Sequence, residues 1–344
     1  MRILRRLNSG LGFLFLATAL TVLGALVAPE GALTLAPRYS PASTTTAPAQ
    51  VAPEDYYLQV WQIVKDNFLF EDRLAKFDDW KTKYAGTLKT RDDAERAIND
   101  MLDSLGDPYT YFRDASATGS YQKHLDAKGV VSGKMLPGDI AYIRITTFSS
   151  RNTAQELEDT LKSLKGAKKY IIDLRGNGGG LVHQTAEVFS LLVEKGKFTT
   201  LKGRWAGKNY VEETEITDKD IQTTEQGSLS KSPRRANLTG TKPMVVLVNG
   251  DSASASEMLA GALRDNKRAV LIGTLTFGKG IAQNSWDLDG NTSLRVTFAR
   301  YYLPKGDCIH GKGILPSRQV VQQATGDAQL EEAVDLLGAV ITGD

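Results

Sequence analysis

YIIDLRGNGGG, residues 170–180, decides how the chain is read. YIIDL is a short apolar run closed by an acid. RGNGGG can continue neither a strand nor a helix, and LVHQTAEVFSLLV (181–193) returns to helical spacing. The same phrase recurs at MVVLV (244–248), the turn NGDSASASE (249–257) and the helical pattern Ala253–Asp265, with AVLIG (269–273) as the next strand. Upstream, IAYIRI (140–145) reads as a strand and Thr153–Leu164 as a helix. Continuous apolar strands alternating with helices predict an α/β fold, a mostly parallel sheet covered by helices. SLRVTFARYYL (293–303) adds a long later strand. Residues 204–242 are polar and charged, and are expected to be a surface excursion.

Ahead of this body the composition changes twice. Residues 1–28 carry Arg2, Arg5 and Arg6 followed by the apolar run LGFLFLATALTVLGALVA (11–28), the pattern of an export signal. Cleavage after Ala28 and retention as a signal anchor through residues 7–29 both fit, and either delivers the body outside the cytoplasm, as a periplasmic or membrane-anchored protein. Residues 29–52 are a Pro/Ala/Thr-rich tether. From Glu54, Tyr57, Val60, Trp61, Val64 and Phe68 recur at helical spacing. Thr90 with Asp93 forms a capping box before Ala94, Ile98, Met101, Leu102 and Leu105, and Gly106 ends that helix. Residues 53–112 are thus a helical segment, 113–138 a polar connector without periodicity, and 139–344 the body, ending in a helix.

The 344 residues are 41% hydrophobic and 24% charged, the mixture of a folded chain of about two units. Cys308 is the single cysteine, so no internal disulfide or cysteine-based zinc cage forms. His124, His183 and His310 lie too far apart to make a histidine metal motif. The net charge is +2, and three of the 42 basic residues fall in the leader, which argues against nucleic-acid binding.

Three turns can carry chemistry. The glycines of 176–180 let backbone N–H groups converge on an anion or oxyanion. Ser252, Ser254 and Ser256 sit where a helix N-terminus follows a strand, and residue chemistry alone does not rank them. Thr276-Phe-Gly-Lys-Gly280 places Lys279 between glycines, with Leu275, Phe277 and Ile281 as apolar neighbours expected to desolvate it into a base. Gly273, Gly278 and Lys279 also satisfy GxxxxGK. Gly280 stands where a phosphate-binding loop needs Ser or Thr, which argues against ATP. Gln283, four residues on, is placed to hold a neutral lysine by hydrogen bonding.

In order and wording these segments resemble the carboxyl-terminal processing (tail-specific) peptidases, which use a serine–lysine pair. The resemblance runs from about Glu54 to the end of the chain. It includes LGDPYTYF (105–112), DLRGNGGG (173–180), SASASE (252–257), LIGTLTFGKGIAQ (271–283), LRVTFARYYLPKG (294–306) and HGKGILP (310–316). It implies Ser254 as nucleophile, Lys279 as base and Gln283 as its support. The oxyanion hole falls on the N–H of Ala255 with that of Gly178 or Gly179, and Asp265 matches an acid read as structural. It implies no cofactor and no metal, and as partners polypeptides, unfolded or with exposed carboxyl termini. Two departures stand out. The family's PDZ domain does not fit between Phe112 and Pro137, and Ser317 follows Pro316 where an aspartate is common. A non-catalytic peptide-binding relative is the alternative.

Overall fold

The computed structural model describes residues 51–338. The export signal, nearly all of the tether and the last six residues lie outside them. The chain opens with helix α1 (Pro53–Asn67), a short α2 (Asp79–Lys83) and α3 (Arg91–Asp103). Strand β1 (Tyr111–Arg113) and helix α4 (Ala115–Leu125) lead to β2 (Val131–Leu136) and β3 (Ile140–Ile145). Next come α5 (Thr153–Ser163), β4 (Lys169–Asp173) and α6 (Val182–Leu192). Strands β5 (Gly196–Trp205), β6 (Lys208–Ile216), β7 (Asp220–Glu225) and β8 (Ser228–Pro233) follow as a meander. Then β9 (Met244–Val248), α7 (Ala255–Asp265) and β10 (Val270–Gly273) repeat the strand–helix alternation. The described chain closes with β11 (Ile281–Leu288), β12 (Thr292–Tyr302), β13 (Arg318–Gln319) and α8 (Ala328–Leu336).

The strands form two sheets rather than one. The first runs β13-β10-β9-β4-β3-β2 and is parallel except for the β2–β3 pair. This is the expected α/β sheet. The second runs β1-β12-β5-β6-β7-β8, with β11 also on β12, and every pair in it is antiparallel. The expectation of a mostly parallel core therefore holds for the first sheet, and the second is added to it. The reason is local. Ala206-Gly207 and Gln226-Gly227 both have positive φ at each residue, the two-residue turn that matches strand twist and closes a hairpin.

The polar stretch 204–242, expected as a surface excursion, is sheet as far as Pro233. Along β6, Tyr210, Glu212, Thr214 and Ile216 are buried while their neighbours are exposed. Two of those inward positions are polar, which masked the alternation; Tyr210 Oη donates to Glu212 and satisfies its buried carboxyl. The connector 113–138 contains α4, capped by Asp114, whose Oδ1 accepts from Ala117 N at 2.7 Å.

Three clusters of side chains hold the sheets and helices. The largest packs α5, α6 and α7 between the sheets around Phe148, Phe189, Leu259 and Phe298. A second joins α1 and α3 to β11 and β12 through Tyr56, Trp61, Met101, Leu294 and Val296. In the third, Ala333 and Val334 of α8 cover the other face of the parallel sheet against Ile171, Val245 and Ile272. Each fully buried side chain of this kind contributes roughly 1.5–3 kcal/mol. The capping box read from sequence is present: Asp93 N donates to Thr90 Oγ1 at 3.1 Å and Thr90 N to Asp93 Oδ2 at 2.9 Å. Among the described residues no helix is long and apolar enough to cross a membrane.

Candidate active site

The glycine turn after β4 is clipped to the turn before α7 by Asn177. Its buried side chain accepts from Gly179 N and donates to Ile145 O, both at 2.9 Å. Its carbonyl accepts from Ala253 N at 3.0 Å and Ser256 Oγ at 2.8 Å. Gly179 has φ +95°, and a Cβ there would stand 2.6 Å from Ala253 O and 2.8 Å from Ala255 N. No side chain fits at that contact. Gly179→Ala is expected to push the two turns apart and lower activity at least about 100-fold, the scale of misplacing catalytic groups by an ångström. Steady-state kinetics on the folded variant check this.

The same contacts separate the three serines. Ser252 is fully buried and its hydroxyl donates to Leu174 O at 2.8 Å, and Ser256, also buried, is committed to Asn177 O. Ser254 is half-buried, lines the large cavity, and has φ +56° with ψ −116°. A non-glycine residue holds such a conformation only where its surroundings impose it. Here Tyr301 Oη donates to Ser254 O at 3.1 Å, and Ser254 N donates to Glu257 Oε2 at 2.9 Å.

Glu257 is the residue that the sequence reading passed over. It is fully buried in the first turn of α7. Its Oε1 accepts from Thr276 Oγ1 at 2.6 Å and Gly278 N at 2.7 Å. Its Oε2 accepts from Lys279 N and from Ser254 N, both at 2.9 Å. One carboxylate thus ties the serine turn to the lysine loop. Its signal was available, as an acid beginning an apolar helix, but capping was the ordinary explanation for it. The lysine loop is also locked from behind. Gly311 N donates to Gly278 O at 2.9 Å and Ile314 N to Thr276 Oγ1 at 2.7 Å.

Lys279 lines the cavity, with Nζ 4.4 Å from the centre of the Tyr109 ring. Burial brings its pKa down to about 8, and the nearby positive charge of Arg295 adds to this, against the opposing pull of Asp107 and Glu257. Of the three apolar neighbours expected to supply that burial, Ile281 is buried but the other two are not. Phe277 and Leu275 are 59% and 49% exposed, whereas Tyr109 of the LGDPYTYF segment covers the amine. Gln283 also lines the cavity but does not bond to Lys279. Its Nε2 donates to Thr297 Oγ1 at 3.3 Å and its Oε1 accepts from Arg295 Nη2 at 3.2 Å. Strand β11 carries a register shift between Ala282 and Gln283, which redirects the side chain. Of the two glycines offered for an oxyanion hole, Gly179 uses its N–H on Asn177. Gly178 N and Ala255 N have no partner among the described residues. Asp265 stands at the far end of α7, paired with Arg264 and accepting from Lys305 N at 3.2 Å, a structural role.

Serine, lysine, glutamine and the glycine turn surround one cavity of about 680 Å³, walled on one side by Trp205, Trp286 and Phe298. Residues 139–320 match the sequence pattern described as peptidase family S41. The chain belongs to that family. Similar curated proteins include the carboxy-terminal-processing protease of Bartonella bacilliformis, 37% identical over 191 residues that are 54% of this chain and 39% of the relative. The carboxy-terminal processing protease CtpA of Bacillus subtilis is 38% identical over 190 residues, 54% of this chain and 36% of the relative. The chain therefore matches less than half the length of either curated relative. Among solved structures, the photosystem II D1 C-terminal processing protease shares the fold, with a TM-score of 0.61 at 22% identity over 84% of this chain and 98% of that one. The S41 match includes strands of both sheets and contains Ser254, Lys279 and Gln283, whereas Tyr109, Arg113, β1 and β2 precede it.

Proposed function

We propose that this S41 chain is an exported serine endopeptidase that cleaves polypeptides near their carboxyl termini with a Ser254/Lys279 dyad. The observation that carries the reading is that, of three serines, the one whose hydroxyl donates to no group among the described residues and whose backbone has a positive φ faces the cavity that holds a partly desolvated lysine. A serine hydroxyl is a poor nucleophile until a base takes its proton. Neutral Lys279 fills that role as Ser254 Oγ attacks the scissile carbonyl. The Gly178 and Ala255 N–H groups meet the oxyanion, and removing one such donor typically costs about 2.7–4 kcal/mol. Lys279 then protonates the leaving amine, and water releases the acyl-enzyme. Gln283 acts through Arg295, which it steadies beside the lysine. Export rests on the pattern of residues 1–28, and membrane attachment on retention of that segment.

A second reading, a peptide-binding relative without catalysis, draws on the engagement of Gln283 with Arg295 and Thr297 instead of Lys279. Incubating the purified protein and Ser254→Ala with an unfolded protein of known sequence, then mapping new carboxyl termini by mass spectrometry, separates the two. Cleavage lost in the variant supports the peptidase. An intact substrate, or equal cleavage by both proteins, overturns it.

The charge balance at Lys279 gives a pH prediction. The base works unprotonated, so kcat/KM rises about tenfold per unit at low pH and levels off above about 8. Arg295 lowers the lysine pKa. Arg295→Gln is therefore expected to move the midpoint of the profile to higher pH, in addition to loosening Gln283. A midpoint unchanged or moved downward contradicts Lys279 as the titrating base.

A further inference from the structure

Arg113, at the end of β1, is 93% buried by its 7% exposure and lines the catalytic cavity. Its Nη2 donates to Tyr111 Oη at 2.6 Å, and the rings of Tyr111 and Tyr121 lie 4.8 and 4.2 Å from its guanidinium carbon. Its Nη1 is buried with no hydrogen-bond partner among the described residues. A guanidinium nitrogen in that position is costly unless something completes it. Arg295 approaches the same phenol from the neighbouring strand, its Nη1 3.4 Å from Tyr111 Oη, in the register that sets Tyr111 opposite Arg295. Two guanidinium groups thus share one phenolic oxygen, and neither forms an ion pair with a carboxylate among the described residues. The third arginine of the cavity, Arg151, is by contrast paired with Asp126.

We propose that Arg113, with Arg295 behind it, is an anion subsite inside the catalytic cavity that takes the free α-carboxylate at the end of a polypeptide, so that cleavage releases a short terminal fragment. The proposal rests on reading this cavity as the catalytic one. A peptide backbone carries no net charge except at its ends. An anion seat in a peptide-binding cavity therefore takes either the terminal carboxylate or an acidic side chain, and arginine's planar fork matches a carboxylate through two parallel hydrogen bonds. The cavity, about 680 Å³, is of the size that encloses a few residues and not a folded domain. Arg113 and Ser254 border the same enclosure, so the spacing between them would fix the length of the released piece.

The test uses full-length Ser254→Ala protein, which separates binding from cleavage. A degenerate peptide pool without Asp or Glu is labelled at its amino end and synthesised as the free acid and as the carboxamide; a third pool is a carboxamide containing internal Asp and Glu. By fluorescence anisotropy the free acid is expected to bind at least about tenfold more tightly than either carboxamide. Adding Arg113→Gln should bring that ratio to within about twofold, and Arg113→Lys should give an intermediate value, since charge remains but the fork is lost. Equal binding of acid and carboxamide overturns the proposal. So does a preference that survives Arg113→Gln in a folded protein, or an acidic carboxamide pool that binds as well as the free acid. If neither Arg113 variant folds, Arg295→Gln takes its place, and an unreduced preference in it overturns the shared subsite. If the preference holds but the wild-type protein cleaves no pool, the subsite stands and the peptidase reading falls.

Discussion

Ser254→Ala and Lys279→Arg are each expected to reduce peptide cleavage to background, a loss of at least about 10⁴-fold in kcat, with both proteins folded. The serine truncation removes one oxygen from the cavity surface and leaves Tyr301, Glu257 and Asn177 holding the turn. Arginine at 279 keeps the charge and much of the length of lysine, yet its guanidinium does not give up a proton near neutrality and cannot accept one from the serine. A lysine acting only as a fixed positive charge would tolerate arginine, so the comparison tests the base directly. Ser252→Ala and Ser256→Ala behave differently. Each is expected to lose one buried hydrogen bond, to Leu174 O and Asn177 O respectively, about 1 kcal/mol of stability, and to keep substantial activity. Kinetics and thermal melts on the four variants decide. Activity in Lys279→Arg, or a loss that follows Ser252 or Ser256 instead of Ser254, would sink the assignment.

Glu257→Gln is expected to be nearly as damaging as Glu257→Ala, although it preserves shape. The two oxygens of Glu257 accept four hydrogen bonds, two each. Of the four donors three are backbone N–H groups that cannot turn around. An amide must present its NH₂ to one of those pairs, setting donor against donor in a site without solvent. The unmet groups cost about 2–5 kcal/mol, a drop of several degrees in melting temperature. Because the donors belong to the serine and lysine turns, kcat should fall in the protein that remains folded. A Gln variant with wild-type melting and turnover would show that the carboxylate is a cap and nothing more.

Much of this arrangement was legible in the residues. The βα units of 140–193 and 244–273 announced themselves by apolar strands broken by turns that cannot continue them, and the capping box at Thr90 and Asp93 marked its helix. The antiparallel sheet was not legible, because Glu212 and Thr214 occupy inward positions of β6 and make a half-buried strand look like a charged loop. Nor were Tyr109 and Arg113 readable as site residues. Tyr109 meets Lys279 and Arg113 reaches the cavity because β1 pairs with β12, a contact between residues 111–113 and 293–295 that no local pattern encodes. Glu257 fell between the two cases, visible as a helix-starting acid but with partners at 276, 278 and 279 that only the folded chain brings near.

The lysine loop is braced by the segment that follows it, where Gly311 N and Ile314 N bond to Gly278 O and Thr276 Oγ1. Timing follows from that brace. In chain order the segment carrying Tyr109 and the turn carrying Ser254 precede the brace, so as the chain grows the loop carrying Lys279 has no backing until Ile314 is added. The order of synthesis thus places Ser254 and Lys279 in the chain before the contacts that hold the Lys279 loop can form.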